Sequence, residues 1–176
     1  MPIPYDSFRK ITMSHPIKVL FLCTHNSARS ILAEAILNHL GGGRFQGYSA
    51  GSQAREDHQP HPLALQALED AGIATAGLAS KNWEVFNQSD APHLDLVITV
   101  CDTVAGEPCP AWPGHPATAH WSYADPSLVT GDEEERLHAF KQTMHALHQR
   151  LELLINLPLT SVDRLVLETE ARRLAA

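Results

Sequence analysis

Cys23 opens the run Cys23-Thr24-His25-Asn26-Ser27-Ala28-Arg29-Ser30, directly after the apolar stretch Lys18-Val19-Leu20-Phe21-Leu22. A thiol followed by five residues, an arginine and a serine, set between a strand and a helix, reads as a nucleophile in an oxyanion cradle. The backbone amides of Thr24, His25, Asn26, Ser27, Ala28, Arg29 and Ser30 can converge on one anion, the helix that follows adds the positive end of its dipole, and Arg29 returns as a planar fork for two oxygens. The same field is expected to lower the pKa of the Cys23 thiol, because amide donors and a guanidinium favour thiolate over thiol. The competing reading is a buried strand-end cysteine followed by a surface arginine. Strand, spacing, arginine, serine and helix all argue against it. The chemistry expected is attack on a tetrahedral oxyanion.

Two more thiols lie further along. Cys101 closes the apolar run Leu94-Val100, and Cys109 sits in Ala105-Gly106-Glu107-Pro108-Cys109-Pro110, a loop punctuated by glycine and proline that reads as exposed and mobile. Three cysteines in a reducing compartment suggest reactive thiols or a metal site more than a disulfide framework. Cys101, Cys109, His115 and His120 are four soft or borderline ligands within twenty residues, so a zinc-binding module is an alternative, although the usual C-x2-4-C knuckle is missing.

These groups need elements to hold them. Ile17-Leu22 is a continuous apolar run, hence a buried parallel strand, and Ile31, Leu32, Ala35, Ile36 and Leu40 recur at helical spacing up to the stop Gly41-Gly42-Gly43. A second strand is expected over Phe45-Ser49. Pro62 begins a helix with Leu63, Ala64, Ala67, Leu68 and Ala71 on one face, ended by Gly72. Leu94-Val100 and Ala117-Trp121 supply two more strands. A last core helix starts near Asp132, carrying Leu137, Phe140, Met144, Leu147, Leu151 and Leu154 as a core stripe. Alternating strands and helices give an α/β three-layer domain on a four-stranded parallel sheet. Ligands then bind beyond the C-terminal strand ends, where both Cys23 and Cys101 stand.

The composition excludes several classes. With 176 residues, 44% hydrophobic and 19% charged, the chain can bury one sizeable core and lacks a disordered signature. No apolar run approaches the roughly 20 residues of a membrane helix. Met1-Pro16 carries Arg9 and Lys10 but no apolar signal core, so a cytoplasmic protein is expected. A net charge of −7 with no basic stripe argues against nucleic acid as a partner. An anion must therefore be captured by a local field.

The segment Val19-Ser30, followed by Ala33-Glu34-Ala35, resembles the low-molecular-weight protein tyrosine phosphatase superfamily, and within it the arsenate reductase branch. Tyr48-Ser49-Ala50-Gly51, Val97-Ile98-Thr99-Val100-Cys101-Asp102 continuing to Glu107-Pro108-Cys109-Pro110, and His120-Trp121 with Asp125-Pro126 support it, covering about Ile17 to Leu157. The resemblance implies the flavodoxin-like strand order 2-1-3-4. It also implies a reaction sequence: Cys23 attacks arsenate, Asp125 protonates a leaving oxygen, Cys101 attacks the Cys23 sulfur to release arsenite, and Cys109 carries the disulfide outward. No bound cofactor is expected, and related branches draw electrons from thioredoxin, glutaredoxin with glutathione, or mycothiol. The nearest rival is a phosphatase of the same superfamily hydrolysing phosphotyrosine monoesters, which needs Cys23, Arg29 and Asp125 but neither Cys101 nor Cys109.

Supporting roles follow. Ser30 is placed to donate to the thiolate and Asn26 to hold strained loop backbone, against the plainer reading of a helix cap and a turn residue. In thioredoxin-coupled relatives, the resemblance implies, residues matching Asn26, Glu34 and Ser49 contribute to a potassium site completed by the Asp of a T-S-D segment. Here that segment reads Leu78-Ala79-Ser80-Lys81. Lys81 is therefore expected to replace the cation and pair with Glu34, with no metal bound. His58, His61, His138, His145 and His148 read as exposed or capping residues, and Trp83, Trp112 and Trp121 as apolar fillers, with Trp112 a candidate for shaping a partner surface. Residues 1-15 read as a tail, 16-157 as the domain, and 158-176 as an appended helix with a Thr160-x-x-Asp163 capping box, suited to cover the core or to mediate a homodimer.

Overall fold

A computed structural model of the chain describes residues 15-108, 110, 112-157 and 164-175. Four all-parallel strands, β1 (Ile17-Cys23), β2 (Phe45-Gly51), β3 (Leu96-Thr99) and β4 (Ala117-His120), form one sheet in the order β2-β1-β3-β4. This is the expected order. Helices α1 (Arg29-Leu40), α2 (Pro62-Asp70), α3 (Asp102-Ala105), α4 (Glu133-Ile155) and α5 (Arg164-Arg173) cover both faces of the sheet. Because both faces are covered, the central strands carry continuous apolar runs: Val19, Leu20, Phe21 and Leu22 are fully buried, as are Leu96 and Ile98.

Observed boundaries differ from the sequence expectation where backbone pairing, not hydrophobicity, decides. β1 runs on to Cys23 and β2 to Gly51 because these two residues pair in register. β3 is shorter than Leu94-Val100, since only Leu96-Thr99 pairs with both neighbours. Helix α3 went unanticipated: four residues carry no periodicity to read. Other punctuation is as expected. Pro62 stands at the first position of α2, and His61 caps it, its Nδ1 accepting from the Leu63 N–H at 3.1 Å. Asp132 caps α4 in a reciprocal box with Glu135, both bonds 2.9 Å.

The register brings the thiols together. Leu22 pairs with Thr99, so Cys23 and Cys101 leave adjacent parallel strands at the same edge of the sheet. Helix α5 packs on the far side against β4, with Leu167 and Ala171 fully buried. Cys109 and the segment 158-163, which holds the expected capping box, lie outside the described residues, as do residues 1-14.

Candidate active site

The loop from Cys23 to Arg29 is built by turning its carbonyls away from its centre. The Cys23 carbonyl accepts from Ser52 N–H at 3.1 Å, Thr24 from Gln53 N–H at 2.8 Å, and Ser27 from His61 N–H at 2.8 Å. The Asn26 carbonyl accepts from the Ser80 hydroxyl at 2.6 Å. With these oxygens engaged by surrounding elements, N–H groups face inward, and those of Asn26 and Ser30 point at the Cys23 sulfur. Asn26 supplies the bend, with φ of +53°, a left-handed conformation that asparagine tolerates better than most residues. Its amide is held from both ends, Oδ1 accepting from Lys81 N–H at 2.9 Å and Nδ2 donating to Ser30 Oγ at 2.8 Å.

Ser30 lies inside α1, not at its cap, and its hydroxyl is 2.8 Å from Cys23 Sγ. Helix α1 has no side-chain cap at all, so its leading N–H groups remain available to a ligand. Gly51 is required by the same arrangement. A Cβ there would lie 2.7 Å from the Thr24 carbonyl oxygen and 2.8 Å from Asn26 N, so the loop can pass only over a glycine.

The Cys23 thiol departs from the expected direction. It is 3% exposed, and burial pushes its pKa up; the Ser30 hydroxyl and the N–H groups of Ser30 and Asn26 pull it down but are outweighed, while Cys101 adds to the rise. The sequence reading counted the donors and missed the desolvation.

Arg29 reaches across the mouth. One Nη donates to the Tyr123 carbonyl at 2.9 Å, and the other lies 3.5 Å from Asp125 Oδ2. Asp125 is fixed by its own turn, Pro126-Leu128, because Oδ1 accepts both the Ser127 N–H at 2.9 Å and the Ser127 hydroxyl at 2.7 Å. Thr24, His25, Arg29, Asp102, Tyr123, Asp125 and Leu128 all line the opening. Cys101 is buried beside it, its sulfur 3.5 Å from Thr24 Oγ1, and both it and Cys23 are free thiols.

Under the loop, Lys81 Nζ donates to the Ser49 and Ala79 carbonyls, each at 2.8 Å, and Ser49 Oγ donates to Glu34 at 3.1 Å. Lys81 and Glu34 attract each other without closing the contact pair expected; carbonyl oxygens take the ammonium instead. Burial lowers the Lys81 pKa and raises that of Glu34, each partly offset by the other.

Of the four alternative zinc ligands, Cys109 lies outside the described residues. His120 engages Thr99 Oγ1 through Nδ1 at 2.7 Å and Asp102 through Nε2 at 2.8 Å, and among the described residues no group of three or more potential ligands converges. Trp112 is buried edge-on to Trp83, as a filler. Sequence reasoning missed Tyr123, Ser127 and Ser80, which act through a backbone carbonyl, an Asx turn and a loop tether. Only Ser127, two residues after Asp125, left a readable signal.

A family model for low molecular weight phosphotyrosine protein phosphatase matches residues 18-166. The chain belongs to this family. An arsenate reductase from Bacillus subtilis (strain 168) is 32% identical over 133 residues, 76% of this chain and 91% of that protein. Among solved structures, an arsenate reductase in the oxidized state aligns with TM-score 0.62 and 31% identity, covering 79% of this chain and 96% of its own. Another, in the phosphate binding state, aligns with TM-score 0.60 and 29% identity, over 78% and 95%. Family membership accounts for the loop, the arginine and the strand order together. The matched span ends at residue 166, within α5.

Proposed function

We propose that the chain is a thiol-dependent arsenate reductase in which Cys23 is the nucleophile. The observation that carries this reading is a second buried thiol, Cys101, one strand away from a nucleophile already seated in its anion loop. Hydrolysis of a phosphoester has no use for that thiol. The similarity to arsenate reductases, one of them caught with phosphate and one oxidised, supports it.

The steps balance with residues at hand. The Cys23 thiol passes its proton to the bound arsenate dianion, and the thiolate attacks arsenic as one oxygen leaves as water with a proton from Asp125. Loop amides and Arg29 hold the remaining oxygens. Cys101 then attacks Cys23 Sγ; the sulfur–arsenic bond breaks, its electron pair stays on arsenic, and arsenite departs, its oxygens taking the Cys101 thiol proton. Two thiols are oxidised to one disulfide and As(V) is reduced to As(III). Cys109 in turn attacks Cys101 and passes the disulfide to an external dithiol, such as thioredoxin or a glutaredoxin-like protein. Cys23, Arg29 and Asp125 retain the geometry for slow hydrolysis of an aryl phosphate, so a residual phosphatase activity is expected.

Arsenite release tests the reading. Cys23→Ser should lose both activities, whereas Cys101→Ser should lose multiple-turnover arsenite production and keep aryl phosphate hydrolysis within a few-fold. Cys109→Ser should stall after one turnover with thioredoxin. A wild-type protein that yields no arsenite with any thiol donor, yet dephosphorylates phosphotyrosine efficiently, would make it a phosphatase.

A further inference from the structure

The oxyanion arginine is anchored on a loop that is itself held from the other side of the molecule. Arg29 donates to the Tyr123 carbonyl, and Tyr123 lies between Trp121 and Asp125 on the segment that leaves β4. Arg150 of α4 lies over both aromatic rings, its guanidinium carbon 5.5 Å from the Trp121 centroid and 5.0 Å from that of Tyr123. Trp121 is fully buried and tied to α5, its Nε1 donating to the Ala171 carbonyl at 2.9 Å. Arg150 forms no ion pair among the described residues. Its Nη1 and the Tyr123 hydroxyl are both shut off from solvent, and the charge of Arg150 and its side-chain contact with the hydroxyl partly offset the rise that burial causes in the Tyr123 pKa.

A half-buried guanidinium without a carboxylate is costly unless something else compensates it. Two aromatic faces do so through cation–π contact. A planar cation shared by two rings also fixes their relative orientation, and here the second ring belongs to the residue whose carbonyl orients Arg29. We propose that Arg150 is a positioning residue for the oxyanion clamp, acting through Tyr123, and that α5 braces it by holding Trp121. This rests on Arg29 being the clamp in the function proposed above. Arg150 does not touch the anion. Its effect is to keep one arm of Arg29 on the Tyr123 carbonyl, so that the remaining N–H groups face the loop centre before the anion arrives.

The probe is inorganic phosphate, titrated calorimetrically into the reduced full-length protein, with thermal unfolding measured on the same samples. Arg150→Met should weaken phosphate binding by about three- to tenfold, within the range of a lost cation–π contact, while its melting temperature stays within a few degrees of wild type. Arg150→Lys, which keeps a cation over the rings, should recover most of the affinity. Trp121→Phe keeps the ring but loses the bond to α5, and should weaken phosphate to a lesser degree. Unchanged phosphate affinity in Arg150→Met overturns the proposal. So does a loss that merely follows a fall in melting temperature in both Arg150 variants. Arg29→Lys is the control for the underlying reading: if it binds phosphate as wild type does, Arg29 is not the clamp, and that failure is separate from any result at position 150.

Discussion

At the Cys23 sulfur, two effects of opposite sign compete. Desolvation favours the neutral thiol, and three hydrogen bonds from Ser30 and Asn26 favour thiolate. Ser30→Ala removes the side-chain donor without opening the site to water, so the thiol pKa should rise further. The check is the pH dependence of iodoacetamide labelling of Cys23, whose midpoint should move to higher pH than in wild type; an unmoved or lower midpoint would show that Ser30 does not stabilise the thiolate. Stability carries the same sign. The unfolded thiol ionises near about pH 8.5, whereas the folded one stays protonated above that. Through this window the folded state binds more protons than the unfolded state, so unfolding free energy falls as pH rises, by at most about 1.4 kcal/mol per pH unit. Cys23→Ser should flatten that decline in urea titrations carried upward from about pH 8.5.

Among elements, the strand-to-helix loop shows what a sequence discloses and what it withholds. That Cys23, Arg29 and Ser30 share one strand-to-helix junction was legible from their types and spacing. The role of Gly51 was not, because nothing in a strand-end glycine announces that a carbonyl from another segment passes 2.7 Å from where its Cβ would be. Tyr123 was equally silent, since any residue offers the same carbonyl to Arg29. Lys81 lies beneath the loop, but its ammonium meets the carbonyls of Ser49 and Ala79 and not Glu34, because those carbonyls turn toward it only once folded. Two predictions belong here. Gly51→Ala should push the loop off its path, costing about 1–3 kcal/mol of stability as overpacking does and weakening phosphate binding in calorimetry; an alanine variant with wild-type affinity would mean that the loop has slack the geometry does not suggest. For Lys81, replacing sodium with potassium at equal ionic strength should change neither activity nor melting temperature, since the ammonium already satisfies both carbonyls. Lys81→Met should lower stability by about 1–3 kcal/mol, the cost of leaving the carbonyl of the buried Ser49 unpaired.

Across the whole molecule, the sheet has one edge near the site that would otherwise stand open. Among the described residues β4 pairs only with β3, and α5 covers its outer side by supplying polar groups to its backbone: Glu168 accepts from Thr118 N–H at 3.1 Å, and Arg172 donates to the Thr118 carbonyl at 3.0 Å. A strand edge whose donor and acceptor are both engaged by side chains is a poor template for pairing with another chain. The apolar side of α5 does the rest, with Leu167 and Ala171 fully buried while Val166 is 47% exposed. Of the two roles open to an appended helix, covering the core is the one this packing serves. Leu167→Ala should therefore lower unfolding free energy by about 2–5 kcal/mol, as buried leucine truncations do, whereas Val166→Ala should stay within about 0.5 kcal/mol of wild type. Deleting residues 158-176 goes further. It should uncover Trp121, shifting tryptophan emission to longer wavelength, and free the β4 edge to pair, raising the apparent mass in light scattering as concentration increases. A truncated protein with wild-type emission that stays at its wild-type mass and melts at the wild-type temperature would mean that α5 contributes nothing to the core, and the bracing of Trp121 would fall with it.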